Sequence, residues 1–179
     1  ILRNYLAQQA IEAFSIAGYA ERQSAILGNL ALVYGELGLY PHARRILKEM
    51  HISARGMGAM ASLANSLGNL SDMDMKQGAL DEARLHLKEY AEIAPTLGDP
   101  TLEAGIYEGF GDLALLEENP KDAVRQYKSA IKIAEQAGLE RVNIHITKLG
   151  NAHLQNNDPA AALRATTKAS NMHRDQSFA

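Results

Sequence analysis

The sequence contains no cysteine and no tryptophan, and it has seven tyrosines and three phenylalanines among 179 residues. The absence of cysteine excludes disulfide bonds and thiolate metal ligands, and it fits a reducing compartment such as the cytoplasm, which is the location we expect. No apolar run approaches the ~20 residues that a helix needs to cross a bilayer, so we expect no membrane partner. The formal net charge of −3 gives no electrostatic reason to expect direct binding of nucleic acid.

The sequence also lacks the residue patterns that mark catalytic, metal and cofactor sites. None of the six histidines belongs to the His-Glu-x-x-His pattern of a zinc site. No serine lies in a nucleophile-elbow motif, and no glycine-rich loop ends in Lys-Ser or Lys-Thr. We therefore expect a protein that is not an enzyme and that needs no metal and no cofactor.

What the sequence does contain is a regular repeat. Gly18, Gly58, Gly98 and Gly138 follow one another at intervals of 40 residues, a period typical of a solenoid built from one supersecondary unit. Apolar residues between these glycines follow helical spacing, and no stretch alternates as a strand would. The pattern predicts one all-α domain of about nine helices over residues 1–179. It divides into a half repeat at 1–18 and helical hairpins at 20–58, 59–98, 99–138 and 139–176.

Several helix starts are marked by proline and by capping residues. Pro41 is placed for the first turn of a helix, where its missing N–H costs nothing. Asp99 is expected to cap a helix that begins at Pro100, and Asn119-Pro120 repeats the signal twenty residues later. The second helix of the second hairpin is expected to run over residues 81–97.

Small residues in the third hairpin carry a recognisable spacing. They fall at Gly111 and Ala114 on its first helix and at Ala123 and Ala130 on its second, with Tyr127 between. This spacing resembles the tetratricopeptide repeat, and the same register extends to the other hairpins. Bulky side chains at these positions would overpack the hairpin, so we expect the small residues to serve packing rather than binding.

The resemblance implies a right-handed α-solenoid, a superhelix of antiparallel helix pairs that acts as an interaction module. The period is longer than the usual ~34 residues. In this it is similar to the repeats in sensor regions of large bacterial signal-transduction ATPases and transcriptional activators. Asp74 stands where the repeat usually has tyrosine, and Thr166 where it usually has phenylalanine. We therefore predict looser packing in the second and fourth hairpins.

In such arrays, the resemblance implies, ligands lie in a concave groove lined by the first helix of each pair. The helical period places a polar stripe on that face, and Leu27-Gly28-Asn29-Leu30 recurs as Leu67-Gly68-Asn69-Leu70. An asparagine amide offers a donor and an acceptor, so successive asparagines can grip the backbone of an extended peptide. Gly109 interrupts the ladder in the third hairpin. The predicted partner-binding residues are Asn29, Leu32, Glu36, Asn65, Asn69, Asp72, Lys76, Asp112, Lys148 and Asn151.

The leading hypothesis is a module that binds a protein or peptide segment. One alternative is a regulatory sensor segment of a larger signalling or transcription protein, and another is a homo-oligomer formed through exposed ends of the array. The polar stripe has an alternative of its own, a solvated helix face. Met73 and Met75 fit either soft core filling or an adaptable apolar surface for a partner.

Overall fold

The structure is a computed structural model that describes Gln9 and residues 20–176. Within these residues it contains no strand. The helices are α1 (Ala20–Glu36), α2 (Tyr40–Met57), α3 (Met60–Lys76), α4 (Leu80–Ile93), α5 (Pro100–Leu116), α6 (Pro120–Gln136), α7 (Val142–Gln155) and α8 (Pro159–Gln176). The all-α prediction is confirmed for this part of the chain. The half repeat predicted at 1–18 lies outside the described residues, apart from Gln9, which is helical.

The described part of the chain forms two compact units, and the boundary between them falls after His86, within α4. In the first unit, α1 packs against α2 and α3, and α2 packs against α3. In the second unit, α5 packs against α6, α6 against α7, and α7 against α8. Turns of a few residues join these helices, so packed neighbours in the sequence run antiparallel.

Most of the helices end in a turn whose last residue has a left-handed backbone conformation. Five glycines adopt a positive φ at these ends, and Glu118 and Asn157 do so at two others, with φ of 57° and 56°. After α1, the N–H of Leu39 donates to the carbonyl of Tyr34 at 2.8 Å, which is a Schellman motif. Glycine reaches this backbone conformation without steric cost, whereas Glu118 reaches it with a Cβ atom.

The helix starts confirm the predicted caps. The Asp99 side chain accepts a hydrogen bond from the N–H of Thr101 at 2.8 Å, and Pro100 occupies the first position of α5. Asn119 caps α6 in a similar way, and Pro41 lies in the first turn of α2. The helix predicted over 81–97 is wrong in its last turn. Helix α4 ends at Ile93 and continues as a 3-10 turn over Ala94–Leu97, because Pro95 has no N–H to donate within an α-helix.

The small residues of the third hairpin are packing residues, as predicted. Ala123 and Ala130 are fully buried. A Cβ atom on Gly111 would lie 2.5 Å from Cε1 of Tyr127, so Gly111 makes room for the tyrosine ring. Tyr127 is itself fully buried and packs with Ala114, Ala123 and Ala152. The ring therefore fills the space between the helices of this hairpin.

Two positions in α3 give different outcomes. Met73 and Met75 are buried, which supports core filling over a partner surface. Asp74, in the place of the usual tyrosine, is fully buried, with Arg44 Nη2 at 2.9 Å and His86 Nδ1 at 2.7 Å. A buried carboxylate held by two basic side chains thus replaces the aromatic ring, and the looser packing predicted for this hairpin stays a prediction.

No helix in the described part of the chain is both long enough and apolar enough to span a bilayer.

Candidate functional site

Helices α1 and α3 of the first unit border a pocket of about 430 Å³. Four of the predicted partner-binding residues lie in its lining, namely Asn29 and Leu32 on α1 and Asn65 and Asn69 on α3. The remaining lining residues are small or apolar, and they are Ser24, Ala25, Gly28, Met50, Ala61 and Ser62. We call this the amide pocket. The structure therefore brings together the side chains that the repeated Leu-Gly-Asn-Leu sequence singled out.

The repeat explains why the asparagines face the pocket. Leu67 and Leu70 are fully buried, so the helical period directs Asn69, which lies between them in sequence, away from the core. Gly28 has no side chain to fill the floor, and a Cβ atom there would lie 3.7 Å from both Asn69 Nδ2 and Met50 Cε. The floor is consequently open and partly apolar.

The amides of the pocket have no partners within the described part of the chain. No hydrogen bond there involves the side chain of Asn29, Asn65 or Asn69. Asn29 and Asn65 are exposed, and Asn69 is half-buried. Three donor-and-acceptor groups therefore face one pocket with their hydrogen-bonding capacity unused by the protein.

Three charged residues of the predicted set lie about one turn further along the same helices. Lys76 Nζ is 3.1 Å from Asp72 Oδ2 and 3.5 Å from Glu36 Oε1. Burial alone would lower the pKa of Lys76, but these two carboxylates outweigh it and raise the pKa. Since one cation serves two carboxylates, this cluster carries a net negative charge beside the amide pocket.

In the second unit, the charged residues of the predicted set form ion pairs within the protein. Lys148 Nζ on α7 lies 2.6 Å from both Asp112 Oδ2 and Glu108 Oε1 on α5. The hydroxyl of Tyr127 donates to Asp112 Oδ1 at 2.7 Å, and His145 Nδ1 lies 3.2 Å from Glu108 Oε2. We call these five residues the Lys148 cluster. The charges of Asp112 and Lys148 are therefore used within the protein, whereas Asn151 is exposed.

The pKa values of the Lys148 cluster follow from burial and close charges. Burial favours the neutral form of Glu108, but the contacts with His145 and Lys148 outweigh it and lower the pKa to about 2. For Asp112 burial prevails, and the pKa is raised despite Lys148. Burial alone would lower the pKa of Lys148, and the two carboxylates raise it. The ion pairs of the cluster thus link α5 to α7, and the Tyr127 hydroxyl joins them from α6.

The interruption of the amide ladder at Gly109 also has a structural reason. A Cβ atom on Gly109 would lie 2.5 Å from Cδ2 of Leu87, and one on Gly105 would lie 2.9 Å from the Tyr90 hydroxyl. Both partners are buried in the second unit. An asparagine at position 109 would displace Leu87, so the ladder cannot continue there without repacking.

Glu108 and Met50 also belong to these sites, although they are not among the residues predicted from the sequence. Glu108 lies four residues before Asp112 on the same helix, so an i, i+4 search along the stripe finds it. Met50 comes from α2, and a stripe defined on the first helices alone excludes it. Among the described residues, no group of three or more His, Asp or Glu side chains is placed to hold a metal ion.

No model of a protein family matches the sequence, and a comparison with curated proteins finds no match either. Solved structures do match. The Rap protein complexed with Competence and Sporulation Factor superposes with a TM-score of 0.80 at 15% identity, over 98% of this chain and 52% of that one. The chain has a tetratricopeptide-like repeat fold.

Two further solved structures share this fold. One is a Signal Transduction ATPase with Numerous Domains with a tetratricopeptide repeat sensor, from Pyrococcus horikoshii, with a TM-score of 0.72 at 22% identity. It matches over 99% of this chain and 29% of its own length. The other is BtubC from P. vanneervenii, with a TM-score of 0.70 at 17% identity, over 88% of this chain and 66% of that one. The chain therefore spans between about a third and two thirds of these proteins, and the likeness establishes the fold.

Proposed function

We propose that this protein is a non-catalytic module that binds an extended protein or peptide segment at the amide pocket. One observation carries the proposal. The side chains of Asn29, Asn65 and Asn69 line one partly apolar pocket, and their amides make no hydrogen bond within the described part of the chain. An extended segment presents N–H and C=O groups that such amides can pair with, while Leu32 and Met50 contact an apolar side chain. The Rap protein was solved in complex with a factor, which supports a binding role for the same fold.

The test is a selection of peptides from a random display library on the purified chain. The binding of each selected peptide is then measured with the Asn29→Ala/Asn69→Ala double variant and with Asn171→Ala. The second variant is a control at an exposed position outside the amide pocket. We expect enrichment of peptides that bind the wild type and the control but not the double variant. Each lost amide contact that leaves a buried group of the complex unpaired should weaken the binding free energy by ~1–3 kcal/mol. Peptides that bind all three proteins equally would refute the assignment of the pocket.

A second candidate function is a ligand-sensing regulatory segment of a larger signalling or transcription protein. The observation that favours it is the match of 99% of this chain to a protein with a tetratricopeptide repeat sensor. The complete reading frame decides this case. An adjoining nucleotide-binding ATPase or helix-turn-helix domain would support it, and a short stand-alone protein would contradict it.

Self-association through the ends of the array is a third arrangement. A mass from light scattering that doubles with concentration would support it, and a monomer at high concentration would exclude it.

A further inference from the structure

The second unit has a pocket of about 340 Å³ whose chemistry differs from that of the amide pocket. Its walls include Ile106, Tyr107 and Phe110 of α5 and Pro95 of the preceding 3-10 turn. Two polar residues, Glu103 and Gln126, also line it. We call this the aromatic pocket. The whole sequence has only ten phenylalanine and tyrosine residues, and two of them line this pocket. Aromatic rings offer a large apolar surface for contact with a ligand.

The helical period places the acidic and aromatic residues on one stripe of α5. Tyr107 lies four residues after Glu103, and Phe110 lies three residues after Tyr107, which is the spacing of neighbours on a helix surface. Gly109 and Asp112, which belong to the predicted groove stripe, lie at other angles around the same helix. The aromatic pocket is therefore a separate feature, and nothing in the proposed function uses it.

The carboxylate of Glu103 has no partner within the described part of the chain. No hydrogen bond or ion pair there reaches it, although the residue is half-buried at the pocket. Glu103 lies in the first turn of α5, where the helix dipole favours a negative charge. This favourable field leaves the carboxylate oxygens free to accept hydrogen bonds from a ligand. The Tyr107 and Phe110 rings make no cation–π contact within the described part of the chain, and no Lys or Arg lines the pocket. The pocket thus combines two aromatic rings with an unpaired negative charge.

We propose that the aromatic pocket receives a basic side chain, lysine or arginine, of a partner protein segment. The cationic head pairs with Glu103 and lies against the negative faces of the Tyr107 and Phe110 rings, while its aliphatic stem contacts Ile106 and Pro95. Charge complementarity selects this occupant over a purely apolar one. An apolar side chain would bury the half-exposed Glu103 carboxylate without a partner, which is unfavourable.

A second pocket of the same unit supplies an internal contrast. Its lining includes three cationic residues, Lys128, Arg164 and Lys168, and one carboxylate, Asp158, over an apolar floor, so cations predominate. Lys168 pairs with Glu135 at 2.6 Å, whereas Lys128 and Arg164 have no ion-pair partner among the described residues. A basic probe is repelled from this second pocket and attracted to the aromatic one, so the two can be told apart in a single titration.

The test is an NMR titration of the full isotope-labelled chain with the capped tripeptide Ac-Ala-Arg-Ala-NH2. The matched probe Ac-Ala-Nle-Ala-NH2 replaces arginine with uncharged norleucine. We expect the arginine probe to shift resonances of Tyr107, Phe110 and Gln126 at low ionic strength, and the norleucine probe to bind at least about 5-fold more weakly. Raising the ionic strength from about 0.01 M to about 0.3 M should weaken the arginine response, since the Debye length shrinks several-fold.

Three variants complete the test. Glu103→Gln should weaken the arginine probe about 5-fold or more, and Tyr107→Leu about 2- to 5-fold, because leucine keeps the apolar bulk and removes the ring face. Glu140→Gln, at an exposed carboxylate elsewhere in the unit, should change nothing. The circular dichroism spectrum and melting temperature confirm that each variant folds. The proposal is overturned if norleucine binds as well as arginine, if the shifts lie outside the pocket, or if Glu103→Gln binds as the wild type does.

Discussion

Replacement of Glu108 by glutamine tests the electrostatic account of the second unit. Glutamine keeps the shape of the side chain and can still accept from Lys148, but it loses the charge. The pKa of Glu108 falls from 4.5 to about 2 in the folded protein. The difference of roughly 2.5 pKa units corresponds to an upper bound of ~3.4 kcal/mol, since one unit equals ~1.36 kcal/mol. About a quarter of the side chain is exposed, at 26%, so solvent screening reduces the expected effect to ~1–2 kcal/mol.

The sign of the pH dependence follows from the lowered pKa. A carboxyl group whose pKa is lower in the folded state stabilises the protein fully above its unfolded pKa and loses that stabilisation as the pH falls to the folded value. The wild type should therefore exceed Glu108→Gln in free energy of unfolding above pH 4.5, and the difference should vanish between pH 4.5 and about 2. The raised pKa of Asp112 acts in the opposite direction. Because the charge of Glu108 contributes to that rise, the substitution also removes part of it, and the measured difference contains both effects.

The assay is urea unfolding of the full chain, followed by far-UV circular dichroism at a series of pH values. Glu140→Gln serves as the control because this exposed carboxylate has no ion pair among the described residues. The reasoning fails if Glu108→Gln is as stable as the wild type at neutral pH. It also fails if the difference persists unchanged at about pH 2.

Four further substitutions test the stability of the fold. Gly111→Ala should destabilise the protein by ~1–3 kcal/mol, because the new Cβ would lie 2.5 Å from the Tyr127 ring. Gly56→Ala, where a Cβ meets open space on α2, should be neutral or stabilising by up to ~1 kcal/mol, and equal effects would contradict the packing argument. Glu118→Gly should stabilise by ~0.5–1 kcal/mol through relief of the positive φ, and a loss of stability in urea would count against it. Asp74→Ala should cost ~2–4 kcal/mol because two basic side chains lose their buried partner, and a melting temperature equal to that of the wild type would disprove this.

The sequence was sufficient to predict the repeat because the repeat depends on the spacing of residues that lie close together in the chain. Period-40 glycines, caps such as Asp99, and small residues such as Ala123 are each determined by the helix or turn in which they lie. Such features need no knowledge of which helix packs against which. The end of α4 shows the limit of this approach, since the helical pattern continues past the point where Pro95 removes a donor.

The candidate sites were predictable only in part, because they depend on side chains from several helices. The two Leu-Gly-Asn-Leu sequences identified Asn29 and Asn69, since both lie on one face of equivalent helices. The pairing of Lys148 with Glu108 joins residues forty apart on α7 and α5, and no single-helix pattern reports such a distance. The aromatic pocket is likewise assembled from separate helices and a turn, so its residues look like ordinary helix positions in the sequence.

The most direct test of the central claim measures whether the asparagines of the amide pocket grip a peptide backbone. A peptide from the display selection is prepared with each amide in turn replaced by an ester, and each form is titrated calorimetrically into the wild type and Asn69→Ala. If Asn69 pairs with the backbone, one ester and the substitution should show a coupling energy of ~0.5–1.5 kcal/mol in the double-mutant cycle. A coupling of zero at every position, with affinity set by the side chains of the peptide alone, would contradict the account.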